Sequence, residues 1–221
     1  MAVITVSRQF GSGAEEIAGR VCELLDYRYL DKALTSQVAA EVGLTENEAI
    51  DFSEEHYKLQ GILERIFRPG PYIVAQLPVW KYDETGLETF SLKKLDGPSF
   101  KNLIRSVILA AYGRGNVVIL GRGGQILLQN RPDVLHVRIE APISERMRRI
   151  RERTGLSVEA SEQLANERDK QSARYLNQLF GVRWDDPLLY HLVLNTGKWS
   201  LEDGAQLIVS AVRRLQAELV F

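Results

Sequence analysis

Ala2-Val3-Ile4-Thr5-Val6-Ser7-Arg8-Gln9-Phe10-Gly11-Ser12-Gly13-Ala14-Glu15-Glu16-Ile17-Ala18-Gly19-Arg20-Val21-Cys22-Glu23-Leu24-Leu25 stands at the N-terminal end of a 221-residue chain. Ala2–Ser7 is an apolar run of strand length, and Arg8–Gly13 is a glycine-bearing loop. Beyond it, Ala14, Ile17, Ala18, Val21, Cys22 and Leu25 recur at helical spacing, so one face of a helix packs on a sheet. Strand, loop and helix in that order make the corner that holds phosphate in α/β nucleotide-binding domains. The physics is local. A helix start offers unpaired N–H groups and the positive end of a dipole, and glycine lets the backbone come close to an anion. Gly11 and Gly13 sit where that approach is needed.

The loop departs from the P-loop pattern G-x-x-x-x-G-K-[ST]. With the second Gly on Gly13, Arg8 stands at the first Gly, Ala14 at the Lys and Glu15 at the Ser/Thr. The Lys of that pattern reaches the β/γ-phosphates and the hydroxyl binds Mg²⁺. Glu15 instead brings a negative charge to the place where phosphates would lie. Taken alone, the motif fits a nucleotide site and a tight structural turn equally well.

The length suits one domain with a sizeable core, or one domain carrying an insertion. Hydrophobic residues make up 45% and charged residues 26%, an ordinary balance for a globular protein, and a net charge of −1 gives no global field for nucleic acid or acidic membrane. The single Cys22 excludes an intramolecular disulfide framework and reads as a small core residue. No leader pattern and no membrane-spanning apolar run is apparent, so a cytoplasmic location is expected.

Leu34–Val42 has a helical pattern ending at Gly43. Val38–Thr45 looks like the turn of a DNA-binding helix-turn-helix. The following helix would carry Glu46, Glu48, Asp51, Glu54 and Glu55, a sign that repels phosphates, so nucleic acid is not expected as a partner. Between His56 and Phe100, breaks at Pro69-Gly70-Pro71 and Asp96-Gly97-Pro98 flank two strand-like stretches, Tyr72–Trp80 and Leu87–Leu92. Tyr72, Trp80 and Tyr82 suit either buried packing or a self-association surface, that is, a homodimer. Phe100–Tyr112 is helical.

The α/β pattern returns with a strand at Val117–Leu120, followed by Gly121-Arg122-Gly123-Gly124. A strand at Val134–Ile139, a helix at Ser144–Arg153, a strand at Leu192–Leu194 and a helix at Leu201–Leu219 complete it. Strands alternating with helices imply a parallel, doubly wound sheet, whose ligands bind beyond the C-terminal strand ends. Both glycine loops fall at that edge, which favours a nucleotide site over a structural turn.

Arg146, Arg148, Arg149, Arg151 and Arg153 crowd one helix, and Arg168-Asp169-Lys170 and Arg174 follow on the next. A solvated face with i,i+4 pairs, Glu145 with Arg149 for instance, is the plain reading. Guanidinium forks also grip phosphate bidentately, and the break at Thr154–Ser161 allows a helical hairpin that closes over a site as a lid. Not all five arginines can face one way; Arg149 and Arg153 are the phosphate-binding candidates. Asp185-Asp186-Pro187 reads as a turn or N-cap, with a role towards lid arginines or Mg²⁺ as the other possibility. His136 and His191 sit in apolar strand patterns and read as packed core residues. No metal-ligand spacing stands out, and no metal site is expected from the protein alone.

Ile4–Gly13, Leu30-Asp31-Lys32, Gly121–Gly124, Arg168-Asp169-Lys170 with Arg174-Tyr175, and Leu194-Asn195-Thr196-Gly197 together resemble the cytidylate kinase-like proteins, relatives of the nucleoside monophosphate kinases. The resemblance runs end to end in the right order. It implies a P-loop NTPase-type three-layer α/β fold with a parallel core sheet, a helical insertion and an arginine-bearing lid. As one domain over 1–221, the core would be 1–35, 100–153 and 188–221, the acceptor-side insertion about 36–99 and the lid about 154–187. It implies transfer of the γ-phosphoryl of ATP to CMP, dCMP or a similar pyrimidine monophosphate, with Mg²⁺ accompanying ATP.

Carried over by position, Gly11, Ser12, Gly13, Ala14 and Glu15 would hold donor phosphates. Arg122, Arg168 and Arg174 would act at the transferred group, and Asp31, Lys32 and Asp169 would lie on the acceptor side. The family's Lys and Ser are Ala14 and Glu15 here, its Asp after the Gly-Arg pair is Gly123, and its acceptor Ser and Arg correspond to Lys32 and Gln37. Arg8 is the residue placed to supply the missing cation. The resulting expectation is a phosphotransferase with an altered Walker A loop. The alternative is a catalytically degenerate P-loop protein that binds a nucleotide or phosphorylated ligand as a sensor or partner-binding module.

Overall fold

The computed structural model of the chain describes residues 2–29, 48–50, 74–82 and 88–218. The chain divides into two compact units, Met1–Tyr29 with Ala111–Phe221, and Leu30–Ala110. In the first unit, β1 (Val3–Arg8) leads into α1 (Ala14–Leu25) and β2 (Arg28–Tyr29). In the second, β3 (Glu48–Ile50), β4 (Val74–Tyr82) and β5 (Glu88–Asp96) form an antiparallel sheet in the order β3-β4-β5. The strand-like stretches at Tyr72–Trp80 and Leu87–Leu92 therefore do pair, displaced by a few residues. Helix α2 (Gly97–Arg114) precedes β6 (Val117–Leu120), the short α3 (Gly124–Leu127) and β7 (Val134–Glu140). The chain continues through α4 (Ile143–Thr154), α5 (Val158–Phe180), β8 (Leu192–Asn195) and α6 (Leu201–Glu218). Asp31, Lys32, Gln37, the helical stretch Leu34–Val42 and the helix-turn-helix-like segment lie outside the described residues.

The core sheet has the order β2-β6-β1-β7-β8, and every pairing in it is parallel. Parallel neighbours need crossover connections, and α1 and α6 meet on one face of the sheet. There Ile4 and Val6 of β1 and Val137 and Ile139 of β7 bury against Ile17, Ala18 and Val21 of α1 and Ile208 and Val212 of α6. Cys22 is half-buried at the margin of this cluster, and burial pushes its thiol up to about 12.

The other face of β1 and β7 carries a polar stripe. Thr5 Oγ1 lies 2.7 Å from His136 Nδ1. Ser7 Oγ accepts from Trp184 Nε1 at 3.1 Å and from the Tyr190 hydroxyl at 3.2 Å. Arg138, 2% exposed, donates to the Trp184 carbonyl at 2.7 Å, pairs with Glu140 at 2.5 Å and lies over the Trp184 ring. These contacts tie the chain after α5 to the sheet. Asp186 caps a 3₁₀ turn at Pro187–Leu189 through Leu188 N–H, so the Asp-Asp-Pro triplet is the turn it reads as.

The expectation for the two histidines holds for one of them. His136 is buried, and burial lowers it to about 4, so it is neutral at ordinary pH. His191 is exposed, because it precedes β8, the outermost strand of the sheet. Its Nδ1 accepts the His136 N–H at 3.1 Å.

Candidate functional site: the loop between β1 and α1

The loop after β1 turns at the C-terminal edge of the sheet, as a doubly wound fold requires of a ligand site. Gly11 and Gly13, separated by Ser12, take left-handed φ values of 77° and 81°. A Cβ on Gly13 would lie 2.5 Å from Leu201 Cδ2, so neither the backbone nor the space admits a side chain there. Gly13 is also the residue from which α1 starts, and no side chain caps the helix. Left-handed residues alternating with others at a helix start present backbone N–H groups to an anion.

Charged side chains surround this loop. Arg8 Nε meets Glu15 Oε1 at 2.5 Å, with the two side chains 10% and 33% exposed. A Cβ on Gly121 would lie 3.4 Å from Arg8 Nη1. Arg8 therefore spans from the first turn of α1 to the second glycine loop. The loop and α4 enclose a shallow depression whose rim carries Glu15, Glu16, Arg149 and Arg153.

Helix α4 holds the loop by its main chain. Arg146 Nε donates to the Phe10 carbonyl at 2.7 Å and its Nη2 pairs with Asp169 of α5 at 2.6 Å. Asp169 in turn accepts the Phe10 N–H at 2.9 Å. Burial raises the Asp169 carboxyl above its usual range, against the Phe10 N–H and the Arg146 guanidinium, which favour the charged form. Arg149 donates to the Ser12 carbonyl at 3.1 Å and to Thr196 Oγ1 at 3.0 Å. The Phe10 ring is flanked by Arg153 and Arg168, whose guanidinium carbons lie 5.4 and 5.8 Å from its centre.

The Glu145–Arg149 pair expected on a solvated face is not formed. Arg148 takes that role, bonded to Glu145 at 2.9 Å and Glu152 at 2.8 Å, while Arg149 turns towards the loop. The break between the basic helices is Gly155–Ser157. Gly155 ends α4 with a left-handed φ, and Ser157 caps α5 through Ala160 N–H.

The second glycine loop has three consecutive left-handed residues, Gly121, Arg122 and Gly123, with Arg122 at φ 57°. A non-glycine residue there costs about 1 kcal/mol, a cost seen most often at functional sites. A Cβ on Gly123 would lie 2.6 Å from Phe180 Cε2, so the loop rests against the end of α5. There the Tyr175 hydroxyl is pushed up to about 12 by burial, with the Arg122 charge acting the other way.

Arg8, Gly11–Glu15, Arg149, Arg153, Arg168 and Asp169 thus gather at one loop. Arg122 stands at the neighbouring loop, and Arg174 is exposed on α5. Sequence reasoning named Arg146 and Thr196 only within their stretches and gave neither a role of its own. Arg146 shares a helical face with the buried Ile150, four residues on, and that spacing marks it as inward-facing.

Residues 3–198 match the model of the cytidylate kinase-like family. The chain belongs to that family. It is 37% identical to a cytidylate kinase of Pyrococcus horikoshii over 48% of this chain and 55% of that one. It is 28% identical to a cytidylate kinase of Pyrococcus furiosus over 95% of this chain and 86% of that one. The cytidylate kinase-like chain thus spans about half the length of the first relatives it matches. An uncharacterized protein from Eubacterium ventriosum superposes with a TM-score of 0.63 at 18% identity, covering 96% of this chain and 99% of that one. A gluconokinase from Sinorhizobium meliloti superposes with a TM-score of 0.53 at 14% identity, covering 100% of this chain and 96% of that one. The fold is the parallel α/β fold of the P-loop kinases.

Proposed function

We propose that this protein is a nucleoside monophosphate kinase-like phosphotransferase, moving the γ-phosphoryl of ATP to CMP, dCMP or a similar pyrimidine monophosphate. The observation that carries the reading is the left-handed Gly11–Gly13 loop at the start of α1, with the Arg8 guanidinium beside the helix's first turn, in a chain of this family. Phosphoryl transfer asks mainly for positioning and for cations around the equatorial oxygens. In this reading the Gly11 and Gly13 backbone and Arg8 hold the donor, Arg153 and Arg168 stand beside Phe10 at the loop, and Arg122 reaches the transferred group. Asp31 and Lys32 belong to the acceptor side, and residues 154–187 act as the lid.

The Walker A loop is degenerate in this reading, since Ala14 and Glu15 replace the Lys and the hydroxyl. The residues present still suit Mg²⁺, which takes one or two carboxylates together with phosphate oxygens, and Glu15 offers a carboxylate where the hydroxyl would stand. Bound there with ATP, Mg²⁺ would neutralise charge on the phosphates.

One observation favours the alternative of a nucleotide sensor without turnover. Glu15 pairs with Arg8, so a protein anion already occupies the cation that the transfer reaction would need at the donor. A coupled assay of ATP with CMP, dCMP and UMP separates the two. Turnover with a pyrimidine monophosphate supports the kinase. Thermal stabilisation by ATP without turnover supports the sensor, because a ligand specific to the folded state raises its stability. Neither result with any nucleotide refutes both.

A further inference from the structure

The main chain of the loop is held at two alternate peptide units, by α4 and by the residue after β8. The Phe10 carbonyl accepts from Arg146 at 2.7 Å. The Ser12 carbonyl accepts from Thr196 Oγ1 at 2.6 Å and from Arg149 at 3.1 Å. In a planar trans peptide the C=O and the following N–H point in opposite directions. Drawing the carbonyls of Phe10 and Ser12 towards these side chains therefore turns the Gly11 and Gly13 N–H groups to the opposite side. The other loop donors are committed inside the protein, Gln9 N–H to the Ile139 carbonyl, Phe10 N–H to Asp169 and Ser12 N–H to the Gln9 carbonyl.

Two of the three holding side chains are buried and fixed. Arg146 and Thr196 are each 4% exposed. Thr196 N–H donates to the Glu140 carbonyl at 2.9 Å, and its own carbonyl accepts from Arg149 at 3.0 Å. Arg146 is locked by Asp169, which also accepts the Phe10 N–H. Buried groups of this kind do not need to touch a ligand to control it, because they set the direction of the backbone dipoles that do.

We propose that Arg146 and Thr196 are positioning residues that aim the Gly11 and Gly13 N–H groups at a polyphosphate oxygen. The inference rests on the kinase reading for the identity of the anion and on the structure alone for the aiming. Each residue governs one peptide unit. Thr196→Val removes a single hydroxyl at nearly constant volume, and with it one of the bonds that Arg149 makes, and Thr196→Ser restores both. Arg146→Lys keeps the charge but cannot serve Phe10 and Asp169 together.

The test combines isothermal titration with sodium tripolyphosphate and amide NMR of the full chain. Thr196→Val is expected to weaken tripolyphosphate and pyrophosphate by the same factor, roughly five- to fiftyfold, because the loss is one of aim and not of a ligand charge. Thr196→Ser is expected to recover the parent affinity. The Gly13 amide resonance moves in Thr196→Val while that of Gly11 stays, and Arg146→Lys shows the reverse. The proposal is overturned if Thr196→Val binds tripolyphosphate like the parent, or if both variants disturb both amides alike, as general loosening would. If the parent binds neither polyphosphate, the kinase reading falls, and the paired amide shifts alone decide whether the aiming is real.

Discussion

Glu15→Gln should make the protein bind metal-free polyphosphate more tightly while making it less stable. Glu15 lies in the first turn of α1 with its carboxylate 2.5 Å from Arg8. An anion seated at the Gly13 N–H would lie near that carboxylate, and unit charges about 5 Å apart repel by about 3 kcal/mol at an effective dielectric of 20. Glu15 is 33% exposed, so solvent screening reduces this to about 1 kcal/mol. The substitution also releases the Arg8 guanidinium towards the anion. The expected gain is roughly tenfold in affinity for tripolyphosphate or ATP in EDTA at low salt. Stability moves the other way, because a carboxylate at a helix N-terminus and its ion pair are lost, at a cost of about 1 kcal/mol. Titration calorimetry and urea unfolding measure the two. With Mg²⁺ present the gain in affinity should shrink, since a carboxylate ligand has been removed. Equal or weaker metal-free binding by Glu15→Gln would show that the carboxylate does not oppose an anion at this loop.

Three further changes test the surroundings. Gly13→Ala must hold a side chain at φ 81° against Leu201, and should cost about 2 kcal/mol or more in urea unfolding and abolish ATP-dependent stabilisation; a second change, Leu201→Ala, should return part of the stability but not the binding. Arg138→Met keeps the buried stem but leaves the Trp184 carbonyl without its guanidinium donor and Glu140 without its partner, and should cost about 2–4 kcal/mol; a loss below about 0.5 kcal/mol would show that the buried guanidinium adds nothing over an apolar isostere. His136 has its folded pKa lowered from 6.5 to about 4, so the unfolded chain takes up a proton first; stability is full above pH 6.5 and falls by about 1.4 kcal/mol per unit as pH drops towards 4. His136→Gln should flatten the urea midpoint across that window, and an unchanged slope would assign the dependence to other groups.

The corner that decides the fold is legible because two independent local signals coincide. The apolar positions of α1 recur at helical period and the glycines fall where the chain must turn, and neither depends on distant residues. The arginines of α4 are legible only in part. Counting charges cannot separate Arg146 from Arg148, which are chemically identical, and what separates them is that Arg146 shares a face with Ile150. Arg149 goes to the loop because its reach at that rotation brings it to Thr196, a residue that meets it only through the parallel pairing of β7 with β8. The polar stripe is hidden for the same reason. Ser7 lies opposite Arg138 only through the β1–β7 register, so nothing local in either strand announces that a buried guanidinium will stand beside Ser7, Trp184 and Tyr190.

The β1–α1 loop answers in the fold a charge that its sequence leaves open. From the sequence, Glu15 is an unanswered negative charge at a position that the P-loop pattern gives to a hydroxyl. In the fold, the loop brings the end of β1 back beside the first turn of α1, so Arg8, seven residues earlier, answers that charge. A loop that loses an interior cation while gaining an anion would repel phosphate outright. A loop that gains both an anion and a matching cation stays near neutral, and an incoming polyphosphate then competes with Glu15 for a guanidinium already in place. That competition makes binding depend on the difference between two interactions with Arg8 and not on the presence of Arg8 alone. It follows that Arg8→Ala and Glu15→Gln should shift polyphosphate affinity in opposite directions, and that the double variant should fall nearer the parent than either single one if the pair is what sets the affinity.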